Sequence, residues 1–187
     1  MAEIVLFHHA QGLTDGVRAF ADDLRAARHV VHTPDMYDGQ TFPVLDDGMA
    51  YLRDRGFDEV TAHGIALAAD LPAEVFYAGM SFGVMPAQQL VQSRPGGRGA
   101  LMLHAALLPS DLEGDWPAGL PLQVHTAEDD AWGDADVARQ LAAEVPQAEV
   151  FLYPGDTHLF TDRSLPDHRP GTAALVLERA LEFFSRG

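Results

Sequence analysis

Six short apolar runs, each separated from the next by a longer polar or amphipathic stretch, govern what this chain can fold into. Residues 4–8, 29–33, 74–78, 99–105, 120–126 and 149–153 read as strands. Several of them are apolar at successive positions, so both faces of the strand must be covered. That is the pattern of a parallel sheet buried between helices. Between the runs, Val17, Phe20, Ala21, Leu24 and Ala27 recur at helical spacing, as do Val137, Ala138, Leu141, Ala142 and Val145, and then Leu177, Ala180, Leu181 and Phe184. Residues 44–71 read as two helical pieces joined near Gly56. Alternation of this kind predicts an α/β fold with a mostly parallel sheet of about six strands and helices on both faces. Thr14, Ser81 and Asp134 or Asp136 are placed to cap helices.

With 187 residues and no repeat or low-complexity tract, residues 1–187 are expected to form a single domain. The chain has no cysteine, which excludes disulfides, zinc–thiolate sites and a thiol nucleophile. All 12 basic residues are arginine, and against 28 acidic ones the formal charge is −16. Such a surface repels phosphate backbones and anionic lipid, so neither nucleic acid nor membrane is expected as a partner. The opening residues carry no basic cluster or long apolar stretch, and a cytoplasmic location is the expectation.

Within this frame the most informative motif is Gly79-Met80-Ser81-Phe82-Gly83, at the end of the third apolar run. Glycines on either side of a serine let the backbone fold sharply from strand into helix, where a Cβ would strike the opposite arm. The turn lifts the Ser81 hydroxyl clear of the sheet and aims the Phe82 N–H at an oxygen that becomes negative when the serine attacks a carbonyl. A serine needs a base. Chain order in hydrolases of this architecture runs serine, acid, histidine, each past a later strand. Here the run 120–126 leads into Glu128-Asp129-Asp130, and the run 149–153 leads through Tyr153-Pro154-Gly155 to His158. His158 is thus the expected base. The acid loop offers both Asp129 and Asp130.

The chain resembles the dienelactone hydrolase family, small α/β hydrolases that cleave esters and lactones. The matching pieces are His8-His9-Ala10-Gln11-Gly12-Leu13, Pro34-Asp35-Met36-Tyr37-Asp38-Gly39, the serine turn, the Glu128-Asp129-Asp130 loop, and Tyr153 to Phe160 around His158. Carried over by position, the resemblance implies Ser81 as nucleophile, Asp130 rather than Asp129 as acid, His158 as base, and Ala10 as the second oxyanion N–H beside Phe82. It also makes His9, Gln11, Tyr37 and Trp132 candidate pocket residues. Two departures stand out. The family's best-known enzymes use cysteine where this chain has Ser81, and an acidic side chain where it has His9. A serine cannot be preformed as a thiolate-like anion, so Ser81 must depend on its base, and dienelactone itself is not the expected substrate. Arg163 lies near His158 in sequence, but the resemblance gives it no matching position.

The reading is therefore a serine-dependent hydrolase of a small ester, thioester or lactone, without cofactor. The alternative is an inactive protein that keeps the fold as a binding or interaction module. His8 and His9 with His158 suggest a metal site, but adjacent strand residues face opposite ways and no ligand spacing supports it. His104 and His125 are expected to be buried and hydrogen-bonded. Residues 109–121, with Trp116, form either a roof over the site or an exposed acidic turn.

Overall fold

Strand β1 (Glu3–Phe7) shows why the sheet must be covered twice. Ile4 and Leu6 enter one apolar cluster while Val5 and Phe7 enter the other, on the opposite face. The same division holds for β3 (Phe76–Met80) and β4 (Gly99–Leu103). The computed structural model describes residues 1–186. Together with β2 (Val30–His32), β5 (Leu122–Ala127) and β6 (Ala148–Tyr153), these strands form one six-stranded sheet of order β2-β1-β3-β4-β5-β6, parallel throughout.

Helices α1 (Asp15–Ala26) and α6 (Pro170–Ser185) cover one face through Val17, Phe20, Leu24, Val176, Ala180 and Phe184. The other face is covered by α2 (Leu45–Arg55), α3 (Phe57–Leu67), α4 (Val84–Ser93) and α5 (Ala135–Glu144). The Thr14 Oγ1 caps α1 by accepting from the Val17 N–H at 3.2 Å, an arrangement worth about 1 kcal/mol. Ser81 and Asp134 make no such bond at the helix starts they precede. Helix α6 begins well ahead of its apolar periodicity because Pro170 occupies its first turn, where no N–H is needed.

The chain runs from β1 outward to β2, then crosses back to place β3 on the other side of β1. Adjacent loops leave in opposite directions there, opening a crevice at the carboxyl ends of the strands.

Candidate active site

Strand β3 extends to Met80, so Ser81 follows it directly and begins a 3-10 turn, Ser81–Gly83, that feeds α4. Ser81 takes φ 49°, a left-handed conformation that costs a non-glycine residue on the order of 1–3 kcal/mol. The turn is possible because the residues two positions to either side of Ser81, Gly79 and Gly83, lack side chains. A Cβ on Gly79 would lie 2.3 Å from the Gly83 carbonyl oxygen, and one on Gly83 would lie 2.4 Å from that of Phe7. The second contact seats the turn against the end of β1, whose following loop carries Ala10.

The Ser81 Oγ–H donates to His158 Nε2 at 2.9 Å, and the His158 Nδ1–H donates to Asp130 Oδ2 at 2.6 Å. Asp130 lies past β5 and His158 past β6; both are buried. The Trp132 N–H fixes the other carboxylate oxygen, Asp130 Oδ1, at 2.9 Å. Asp129 is exposed, and its N–H bonds the Gly155 carbonyl at 3.0 Å, tying the acid loop to the histidine loop. His104, just past β4, packs its ring edge-on 5.9 Å from that of His158. Its Nε2 bonds Thr161 Oγ1 at 2.7 Å while its Nδ1 has no partner. Burial, with His158 nearby, pushes the His104 pKa well down, so an uncharged ring stands beside His158.

A second buried cluster lies beside this chain of three. The His9 Nε2–H donates to Asp162 Oδ2 at 2.8 Å, and His9 Nδ1 accepts from the Gln11 N–H at 3.2 Å. Neutral His9 therefore has both nitrogens satisfied, and burial pushes its pKa down despite Asp162. Asp162 also accepts from Thr14 Oγ1 at 2.5 Å and from the Ser164 hydroxyl at 2.6 Å. Burial pushes the Asp162 carboxyl up, but the hydrogen bonds from His9, Ser164 and Thr14 outweigh it and hold the group well below the usual carboxylate range. The cluster ties the loop carrying Ala10 to the loop carrying His158.

The cavity at Ser81 measures about 180 Å³. Helices α2 and α3 supply Leu45, Met49 and Phe57, α4 supplies Val84 and Met85, and the segment after β4 supplies Ala105 and Leu107; Phe82, Trp132 and His158 complete the wall. Of the four pocket candidates, only Trp132 lines it. His9 is held by Asp162 as described. Gln11 turns its amide to the Phe42 carbonyl at 3.0 Å. The buried Tyr37 packs against the rings of His8, Phe42 and Tyr51. Residues 109–121 supply no wall of this cavity; the Gln92 side chain holds that segment by the carbonyls of Pro109 and Gly114 at 3.0 and 2.7 Å. Arg163 pairs with Asp23 of α1 and also lies outside the cavity wall.

Sequence reasoning passed over Asp162 and the helical wall. Leu45 and Met49, one helical turn apart, carried a signal for the wall. Asp162 carried none for its tie to the first loop, because Thr14 and His9 lie 148 and 153 residues away and only Ser164 is local.

His8 and His9 are committed to different partners: the His8 Nδ1–H donates to the His9 carbonyl at 2.8 Å, and His8 Nε2 accepts from the Met36 N–H at 3.0 Å. Among the described residues no group of three or more His, Asp or Glu side chains is arranged to hold a metal ion.

A parallel sheet whose third strand ends in a sharp serine turn, with acid and histidine loops past the last two strands, defines an α/β-hydrolase fold. The dienelactone hydrolase family model matches residues 1–187, and the chain belongs to that family. No curated protein is similar enough in sequence to count as a relative. Among solved structures, a candidate dienelactone hydrolase of Klebsiella pneumoniae subsp. pneumoniae MGH 78578 is 16% identical with a TM-score of 0.77, over 100% of this chain and 88% of that one. A dienelactone hydrolase-like promiscuous phosphotriesterase from metagenomic libraries is 19% identical, TM-score 0.73, over 100% and 86%. The dienelactone hydrolase of Anabaena variabilis ATCC 29413 is 18% identical, TM-score 0.68, over 99% and 86%. At these identities the likeness is one of fold.

Proposed function

We propose that this hydrolase cleaves a small carboxylic ester, thioester or lactone through an acyl-enzyme on Ser81, residues 1–187 acting as one domain. The observation that carries the reading is the hydrogen-bonded chain from Ser81 through His158 to Asp130, at 2.9 and 2.6 Å, opening on an apolar cavity. Ser81 Oγ attacks the carbonyl carbon while its proton passes to His158 Nε2. Asp130 holds the ring in the required tautomer and stabilises the imidazolium. The N–H groups of Phe82 and Ala10 donate to the oxyanion. As the tetrahedral intermediate collapses, the bond to the leaving oxygen or sulfur breaks and that atom takes the proton from Nε2. Water then adds to the acyl carbon, giving a proton to Nε2, and the second collapse returns the proton to Ser81 and releases the acid.

Ser81→Ala is expected to lower kcat on p-nitrophenyl acetate by at least ~1,000-fold while the thermal midpoint stays within a few degrees. Turnover at the wild-type level would refute the mechanism. Rapid labelling of Ser81 by a fluorophosphonate separates the enzyme from an inactive binding module of the same fold, because only an activated serine reacts quickly.

A further inference from the structure

The wall of the Ser81 cavity is built almost wholly of large uncharged side chains. Leu45, Met49, Phe57, Met85 and Leu107 are each only partly buried, and Trp132 is 48% exposed. A continuous apolar surface left open to water around a nucleophile is the mark of a site completed by an apolar ligand. Its size sets a limit. A dry apolar cavity of about 150 Å³ holds benzene, so one of about 180 Å³ holds a group of roughly six carbons.

Charge sets a second limit. Among the described residues no arginine lines the cavity, and the chain has no lysine. Arg163, nearest to His158 in sequence, is paired with Asp23, and Arg139 bridges Glu128 and Asp136. The charged groups that do lie close are acidic: Asp130, and Asp134 at the start of α5, which interacts with both Asp130 and His158. A carboxylate on the substrate would enter an apolar cavity with no cation to meet it and two acids nearby. Orientation follows from the hydrogen bond between His158 and Ser81. Nε2 must reach the leaving oxygen, so the leaving group takes the end at His158 and Trp132, and the acyl arm takes the part walled by α2, α3 and α4.

Resting on the serine-hydrolase reading, we infer that the physiological substrate is a neutral ester or thioester with an unbranched or aryl acyl group of about six carbons, and that acyl groups ending in a carboxylate are rejected. Each buried methylene is worth about fourfold. With p-nitrophenyl esters, kcat/KM is expected to rise at least 10-fold from acetate to hexanoate and to fall by decanoate. Mono-p-nitrophenyl adipate, the hexanoate chain ending in a carboxylate, should run at least 10-fold below the hexanoate. Met49→Arg, which puts a cation on the half-buried rim, should shift the adipate-to-hexanoate ratio at least 10-fold towards adipate; Leu45→Arg serves if the first variant does not fold. A flat chain-length series, or adipate turned over as well as hexanoate by the wild type, would overturn the inference. If that happens while fluorophosphonate still labels Ser81 and acetate is still hydrolysed, the hydrolase reading stands. Loss of labelling and of acetate turnover removes both.

Discussion

Asp162 lies outside the chain of Ser81, His158 and Asp130, yet it ties together the loops that carry Ala10 and His158. Its carboxylate accepts from His9, Thr14 and the Ser164 hydroxyl, and it is 1% exposed. Removing a buried carboxylate leaves each of those donors without a partner, which costs far more than the net worth of the bonds. Asp162→Ala is expected to lose about 3–5 kcal/mol, read as a fall in thermal midpoint of roughly 6–20 °C. It should also lower kcat on p-nitrophenyl acetate, because the loops carrying Ala10 and His158 are no longer tied together. Asp162→Asn keeps an acceptor for His9 and should recover more than half of both losses. Equal damage in the two variants would show that shape, and not the hydrogen-bond pattern, matters at this position. The same residue marks a limit of sequence reading. The serine, the acid and the histidine each sit in a short local pattern, and the structure joins them in one hydrogen-bonded chain. Around Asp162 the only local partner is Ser164, and its bonds to His9 and Thr14 arise only when distant loops close on each other.

Among the elements, the serine turn is closely confined by neighbouring backbone. Gly83 has φ −62°, which alanine adopts without strain, so any damage from Gly83→Ala must come from packing. The added Cβ would stand 2.4 Å from the Phe7 carbonyl oxygen and 2.7 Å from that of His8, both backbone atoms with no flexible end to yield. The turn must then move away from β1 and carry Ser81 with it. We expect kcat/KM for p-nitrophenyl acetate to fall at least ~100-fold, since a displacement of 1 Å is enough for that. An activity within twofold of wild type would show that the turn can shift without cost. All six strands were legible because apolar runs of that length have few other uses, and they lie within a few residues of their expected places. The largest shift is in β3, expected at 74–78 and found at Phe76–Met80. Gly79 looked like the start of a turn, yet it pairs with Phe7 and Met102 and belongs to the strand. The helical wall of the cavity was less legible. Residues 44–71 read correctly as two helices, but periodicity gives a face without saying what that face meets.

At the scale of the whole molecule, the buried histidines link stability to acidity. Burial lowers His8 to about 4 and His125 to about 3, against an ordinary value near ~6.5. Their folded pKa values lie below the unfolded ones, so between those limits the unfolded chain takes up protons that the folded one refuses. Stability is therefore greatest above about pH 6.5 and falls as pH drops towards 4, by about 1.4 kcal/mol per pH unit for each histidine. Urea unfolding at pH 7, 6 and 5 should show a loss of at least about 2–3 kcal/mol over the last step from His8 and His125, to which the buried His104 and His9 add. A flat profile would mean that these rings are charged or solvated in the fold. The missing cysteine has its own consequence at this scale. All the sulfur in the chain is in its six methionines, and two of them, Met49 and Met85, stand in the wall of the cavity. An oxidant finds no thiol at position 81, but a sulfoxide on either methionine would turn an oily surface into a polar one. Under the proposed mechanism, oxidative damage would then be read in which acyl chains the protein accepts, before it is read in whether Ser81 can react.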